Sequence, residues 1–258
     1  MNKVFIMGDI HGQWQPVKDF YERNKNKEIF DGSDVIILLG DAGLNYFLND
    51  RDKQVKKKLG KYPFTYFVIR GNHEQRPSIC AEENPDKWSD EIYFESRVYV
   101  ENDYPYIKYA SDGPEFYFIN GYSILSLPGA YSVDKHYRLA MGYSWFEKEQ
   151  LSELEMERGR DMVDLVKGVD IVLSHTCPII FEPTDLFLSI IDQSSVDKTM
   201  ERYLGEIEYK LDYRAWFWGH YHAFRDYPRT DGRKKLMLFN DKVIELADYL
   251  ENEEFEVY

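Results

Sequence analysis

The stretch Val4–Gly12, VFIMGDIHG, decides how this chain is read. Four apolar residues, Val4–Met7, about strand length, run straight into Gly8-Asp9-Ile10-His11-Gly12. Asp9 and His11 are two apart, so at a strand end they point the same way, and the flanking glycines let the backbone turn sharply. The same grammar recurs four times. Val35–Leu39 runs into Gly40-Asp41-Ala42-Gly43, and Phe64–Ile69 into Arg70-Gly71-Asn72-His73-Glu74. Asp170–Leu173 runs into Ser174-His175, and Ala215–Trp218 into Gly219-His220-Tyr221-His222. Nearly continuous apolarity without alternation is the mark of strands buried on both faces. The carboxyl ends of such strands are where layered α/β folds bind ligands. The pattern predicts an α/β fold of two packed sheets with helices outside.

The rest of the chain fits that frame. It has 258 residues, 43% hydrophobic, 30% charged and 16% aromatic, which excludes a disordered or low-complexity chain. No Ser/Gly/Pro linker divides it, so one domain over residues 1–258 is expected, with a strand-rich aromatic segment at about 92–133. Helices are expected over Gln15–Lys25, Trp145–Met156 and Val196–Leu211. In the tail, Lys235–Asn240 and Lys242–Leu246 read as strands joined by a tight turn at Asn240-Asp241. The 32 basic and 46 acidic residues leave a net charge of −14, which repels nucleic-acid backbone and anionic lipid, so no extended nucleic-acid surface is expected. An acidic protein that handles phosphate needs a local attractor, and bound metal ions supply one. Two distant cysteines, Cys80 and Cys177, form no CxxC motif and suit a reducing compartment. Met1–Asp9 is too short an apolar stretch for a signal peptide, and nothing approaches the roughly 20 apolar residues of a membrane span. The expected location is the cytoplasm.

Five of the six histidines directly follow a strand candidate. Taken singly, a Gly-Asp at a strand end is usually a turn, and a Ser-His or His-x-His usually has no metal. Five such signals together select the metal reading. The donors are Asp9, His11, Asp41, Asn72, His175, His220 and His222. Carboxylate, carboxamide and imidazole without thiolate suit Mn, Fe, Zn or Ni. Seven donors are too many for one ion and about right for two that share one, with Asp41 the natural shared carboxylate. Two such ions roughly 3.5–4 Å apart can clamp a phosphoryl group and activate water.

The series GDIHG, GDAG, GNHE, SH and GHYH, spanning Asp9 to His222, resembles the calcineurin-like metallophosphoesterase family. The resemblance implies a four-layer fold of two mixed β-sheets flanked by helices, with a dimetal site at the strand carboxyl ends. It implies that Asp9, His11 and His222 hold one ion, that Asn72, His175 and His220 hold the other, and that Asp41 bridges. Manganese is the first expectation. The implied chemistry is hydrolysis of a phosphate ester by a hydroxide shared between the metals, with His73 as leaving-group acid. Its alternative role is structural packing. The GDxxDRG stretch of the protein serine/threonine phosphatases is absent: Leu44 and Asn45 stand where that branch has Asp and Arg. This weakens, without removing, the protein-phosphatase alternative.

Asn72, Asn45, Arg76 and Arg138 are the candidate substrate contacts. Arg138 closes the segment Gly129–Arg138, which resembles a stretch in bacterial members of the family, ahead of Trp145-Phe146. An arginine fork suits phosphate oxygens, and a surface ion pair is the plainer role for either arginine. His136 reads as an ordinary loop residue. Tyr99–Tyr109 reads as strand packing or as an aromatic wall at the site, and Glu251–Glu256 as a solvated tail. The expected substrate is a phosphorylated small molecule, a nucleotide or a phosphoprotein, monoester or diester. A catalytically silent metal-binding scaffold and a mononuclear hydrolase are the readings from other classes.

Overall fold

The computed structural model describes residues 2–166, 168–187, 189 and 191–258; Met1, at the head of the stretch read above for a signal, lies outside them. The first half of the chain runs β1 (Val4–Met7), α1 (Gln15–Asn24), β2 (Val35–Leu38), α2 (Asp50–Leu59), β3 (Thr65–Val68) and α3 (Pro77–Glu83). Five strands follow: β4 (Trp88–Tyr93), β5 (Ser96–Glu101), β6 (Ile107–Ala110), β7 (Glu115–Ile119) and β8 (Tyr122–Leu127). Then come α4 (Lys135–Met141), α5 (Glu153–Leu165), β9 (Gly168–Ser174), α6 (Thr199–Lys210) and β10 (Asp212–Trp218). The chain closes with β11 (Arg225–Asp226), β12 (Lys234–Met237), β13 (Val243–Glu245) and α7 (Leu246–Glu251).

Two mixed sheets result. One has the order β13-β1-β2-β3-β6-β5-β4 and the other β11-β12-β10-β9-β8-β7. Alternate side chains explain the unbroken apolar runs. Ile6, Ile37 and Phe67 of the first sheet meet Ile124, Ile171 and Phe217 of the second in a shared core. Their neighbours Phe5, Ile36 and Tyr66 face outward into a cluster with Val17, Phe20 and Leu59 of α1 and α2. Leu125, Val172 and Trp216 do the same beneath Met156 and Val163 of α5 and Leu204 and Ile207 of α6. Both faces of each central strand are therefore dry, and each fully buried Leu, Ile or Phe contributes roughly 1.5–3 kcal/mol.

Register then fixes the site. Met7 pairs with Leu38, and Leu38 with Val68, in parallel, so the segments after β1, β2 and β3 leave the sheet level with one another. In the second sheet Leu173 pairs with Phe217, which brings Ser174-His175 and Gly219-His220 out together. Backbone hydrogen bonds tie the loops across: His11 N–H to the Asp41 carbonyl (2.8 Å) and Gly219 N–H to the His175 carbonyl (3.0 Å).

Several expectations need correction. The helix expected over Trp145–Met156 begins only at Glu153, because Ser152 caps it: the Ser152 hydroxyl accepts the Glu155 N–H while the Glu155 carboxylate accepts the Ser152 N–H. The two tail strands form no hairpin. The chain does turn beyond β12, where Lys242 N–H meets the Phe239 carbonyl at 3.2 Å. However, β12 runs parallel to β10 and β13 antiparallel to β1, so the turn carries the chain from one sheet to the other. His136 sits exposed on α4 rather than in a loop. The aromatics of 99–109 follow the packing reading and not the aromatic wall: they pack beneath α2, with Tyr109 against Trp88, and line neither cavity at the strand ends. The acidic tail keeps Glu251, Glu253 and Glu254 in solvent, yet Tyr258 docks on Phe5 and Phe20 and pairs with Val243. Among the described residues no helix is long and apolar enough to cross a membrane.

Candidate metal centre

The segments following β1, β2, β3, β9 and β10 bring all seven donor residues to one place. Asp9 is fully buried. Its Oδ2 lies 3.3 Å from His11 Nε2 and 3.2 Å from His222 Nε2, and those nitrogens are 2.9 Å apart. Donor atoms of Asp9, His11 and His222 all fall within 4.8 Å of one another. Asp9 Oδ1 accepts the His220 backbone N–H at 3.3 Å, while Oδ2 has no aligned hydrogen bond.

The second group is deeper. Asp41 Oδ2 lies 3.4 Å from His175 Nε2, which is 2.9 Å from Asn72 Oδ1. The His220 ring stands edge-on to that of His175, centroids 5.0 Å apart. His175 Nδ1 is 2.7 Å from the Leu39 carbonyl oxygen. A carbonyl only accepts, so Nδ1 carries a hydrogen, and it is Nε2 that faces inward, offering its lone pair whenever the ring is neutral. Asn72 is fixed with equal definition. Its Nδ2 donates to Ser132 Oγ (2.8 Å), and Ser132 Oγ donates to Glu149 Oε2 (2.5 Å). Glu149 also accepts the Ser132 N–H (2.9 Å) and Trp145 Nε1–H (2.8 Å). The amide nitrogen is thereby engaged, and the amide oxygen must face His175.

Local backbone serves this convergence. His11, Asp41, His220 and His222 all have positive φ, between 44° and 67°. Such strain in non-glycine residues persists only where the surroundings over-determine it. A Cβ on Gly71 would overlap Asp41 Oδ1, and one on Gly219 would overlap Asp9 Oδ1, so these two glycines make room for the carboxylates.

The electrostatics fit a cation. Burial opposes the charge of Asp9, yet His11 and His222 hold its carboxyl well below the usual range. Burial likewise opposes charge on Asp41, which His175 and His73 hold far down. Burial disfavours charge on His175 too, but Asp41 and Asp9 outweigh it and lift the imidazole to about 9. Burial and His175 together push His220 down to about 3. Two buried carboxylates cost several kcal/mol each unless compensated. Oxygen and imidazole lone pairs converging on one spot, with Asp9 Oδ2 unsatisfied, are what divalent cations would satisfy. Cys80 and Cys177 lie buried in the helix-side cores and supply no thiolate to this group.

The remaining sequence candidates divide. His73 donates its backbone N–H to Asp41 Oδ1 (2.8 Å), and its Nε2 lies 3.8 Å from Asp41 Oδ2. Arg138 reaches the site: its Nη2 is 3.0 Å from His73 Nε2, its Nε pairs with Asp134 (2.8 Å) and its Nη1 meets the Tyr46 hydroxyl (3.0 Å). Arg76 does not. Its guanidinium is spent on Glu155 (2.5 Å) and on the carbonyls of Lys148 and Gln150 (2.9 and 2.8 Å), away from the donors. Asn45 also turns away, accepting from Lys56 Nζ at 3.1 Å. Sequence reasoning missed Ser132, Glu149 and Glu74. Buried Glu74 accepts N–H groups from Leu44 (3.2 Å) and Gly71 (3.5 Å) and so staples the loops after β2 and β3 together. Burial and Asp41 lift its carboxyl to about 7. The signals were the Glu in GNHE and the Trp145/Glu149 spacing of four behind the Gly129–Arg138 segment.

A family profile described as calcineurin-like phosphoesterase matches residues 2–224. No curated protein sequence matches the chain. Among solved structures, a protein of Thermus thermophilus superimposes with a TM-score of 0.56 at 12% identity, covering 100% of this chain and 98% of its own. The anchor protein of the Plasmodium inner membrane complex gives 0.51 at 11% identity, with coverages of 96% and 81%. A dimetal phosphatase from Danio rerio gives 0.49 at 10% identity, with 95% of both chains covered. At such identities the first two likenesses speak for the fold alone.

Proposed function

This chain belongs to the calcineurin-like phosphoesterase family, and on that premise we propose that it hydrolyses phosphate esters at a centre of two divalent ions, manganese foremost. Asp9, His11 and His222 would hold one ion, Asn72, His175 and His220 the other, and Asp41 would belong to both. The ions would supply Lewis acidity, neutralising phosphoryl oxygens and lowering the pKa of bound water. The observation that carries the reading is the convergence of seven lone-pair donors from five strand ends, among them a fully buried Asp9 whose Oδ2 lacks a hydrogen bond.

The chain's own residues do the rest. The His73 backbone N–H and the His175 ring orient Asp41. Asp134 and Tyr46 aim the Arg138 fork at the space beside His73, where a phosphoryl oxygen can take over its Nη2–H. That exchange frees His73 Nε2 to hold the proton it gives to the departing ester oxygen. Burial and Arg138 depress the His73 imidazole while Asp41 raises it, and burial prevails; losing the Arg138 contact to substrate would restore basicity as the proton is needed.

The fold alone does not decide the matter, since it also serves an anchor protein in Plasmodium. The test is metal content together with turnover. Thorough chelation should abolish hydrolysis of an aryl phosphate and Mn²⁺ should restore it, with two ions bound per chain by elemental analysis. Activity that survives chelation, or a single ion per chain in the active protein, overturns the reading.

A further inference from the structure

Two cavities meet at the centre, and both are lined by Asp41 and His73. The larger, about 350 Å³, opens on the flank of Asn72, His220 and His222 and is walled by Tyr131, Phe187, Val196 and Tyr221. The smaller, about 240 Å³, opens on the flank of His11 and Gly12, and its wall carries two guanidinium groups. Arg138 is one of them, anchored as described. Arg51, at the start of α2, is the other. Its guanidinium lies over the Phe47 ring at 4.8 Å and has no ion pair or side-chain hydrogen bond among the described residues. Asp52, which lines the same cavity, makes no ion pair with it among the described residues: that carboxylate accepts the backbone N–H groups of Phe47 (2.9 and 3.1 Å) and Leu48 (2.7 Å). In a chain with 46 acidic and 32 basic residues, an arginine beside the reaction centre with no ion pair among the described residues needs a reason.

A simple phosphomonoester has one organic substituent and fills one of these cavities. An aromatic-walled cavity on one flank, and on the other a cavity that carries two guanidinium groups while its carboxylates Asp41 and Asp52 are turned to the donor cluster and to backbone N–H groups, fit an organic group to one side of the reacting phosphorus and a further anion to the other. The geometry points to the His11-flank cavity as a subsite for a second phosphoryl group of the same substrate, held by Arg51 beside the Arg138 fork that meets the reacting one. The substrate class is then a phosphoanhydride or a bis-phosphorylated ester. Guanidinium forks match phosphoryl oxygens, and Phe47 pre-orders the Arg51 plane by stacking. The inference rests on the phosphoesterase reading, which places the first phosphoryl group at the metal donors.

The test compares two probes by calorimetry on manganese-loaded protein freed of excess metal: propylphosphonate, and propane-1,3-diphosphonate, which adds a second anion at its far end. The diphosphonate should bind roughly tenfold more tightly, the scale of one charge-assisted hydrogen bond. Arg51→Gln should cut that advantage to about twofold or less, Arg51→Lys should keep part of it, and added salt should erode it because Arg51 is exposed. Equal binding of both probes to the unaltered protein, or an Arg51→Gln variant that weakens both alike or neither, overturns the subsite. Failure of both probes to bind overturns the phosphoesterase reading, and the subsite with it.

Discussion

One half of the proposed centre is sealed but for His220, partly exposed at the larger cavity, and the other is open. The His175 side chain is 0% exposed and Asn72 1%, whereas the His11 and His222 side chains are 28% and 53% exposed. The sealed half is set by contacts behind its donors: the Leu39 carbonyl on His175 Nδ1, and Ser132 with Glu149 on the Asn72 amide. Among the described residues no partner meets the far ring nitrogen of His11 or His222, and what these rings share is Asp9 Oδ2 and each other. Contacts behind a donor fix its tautomer and raise its affinity for metal. The sealed half is therefore pre-organised by protein, and the open half would leave its imidazoles to be ordered by an ion.

Asp41 is proposed to serve both halves, so removing it should erase their difference. Asp41→Ala is expected to lose metal from both and to lower turnover on the order of 10³-fold or more, at least the scale of removing one principal electrostatic stabiliser. Elemental analysis beside aryl phosphate kinetics checks it. Retention of two ions would show that Asp41 is not the shared donor. His73 should behave in the opposite way. It stands between the halves and lines both cavities without joining either donor set. His73→Ala should keep two ions while slowing turnover by roughly 10²-fold, the low end for a general acid, and most for esters with poor leaving groups. Equal slowing of good and poor leaving groups would leave His73 a positioning role only.

The open half was the more legible in sequence, and the reason is physical. Asp9 and His11 sit two apart after an apolar run, so local geometry alone brings that pair to one side, whereas His220 and His222, spaced the same way, divide between the two halves, one ring at His175 and the other at Asp9. The strands were readable because burial on both faces demands unbroken apolar runs, and β1 matches its expected bounds residue for residue. What failed depended on partners distant in sequence. Arg76 follows the GNHE motif closely, but its carboxylate lies 79 residues on, at the capping box that also moved the start of α5. The tail hairpin failed because strand propensity carries no information about which sheet a strand joins. The clamp on Asn72 was hidden for the same reason, with Ser132 60 residues from Asn72 and Glu149 a further 17 from Ser132.

That clamp offers the finest way to separate the two halves. Neither Ser132 nor Glu149 is a proposed metal donor, and among the described residues their side chains reach the sealed half through the amide of Asn72. Without Ser132 Oγ the amide can flip and present Nδ2, a donor that repels a cation, where Oδ1 belongs. Ser132→Ala and Glu149→Gln should each weaken binding of one ion about 10- to 100-fold, the usual consequence of losing a contact behind a donor, and leave the other ion within about twofold. Because both act through one amide, the double variant should cost little more than the worse single one. Ser132→Thr, which restores a hydroxyl, should recover most of the loss. Stepwise calorimetric titration of Mn²⁺ into metal-free protein reads the two affinities separately. A merely structural role would lower thermal stability and weaken both ions together, and equal loss at both halves would break the contrast between a sealed and an open half.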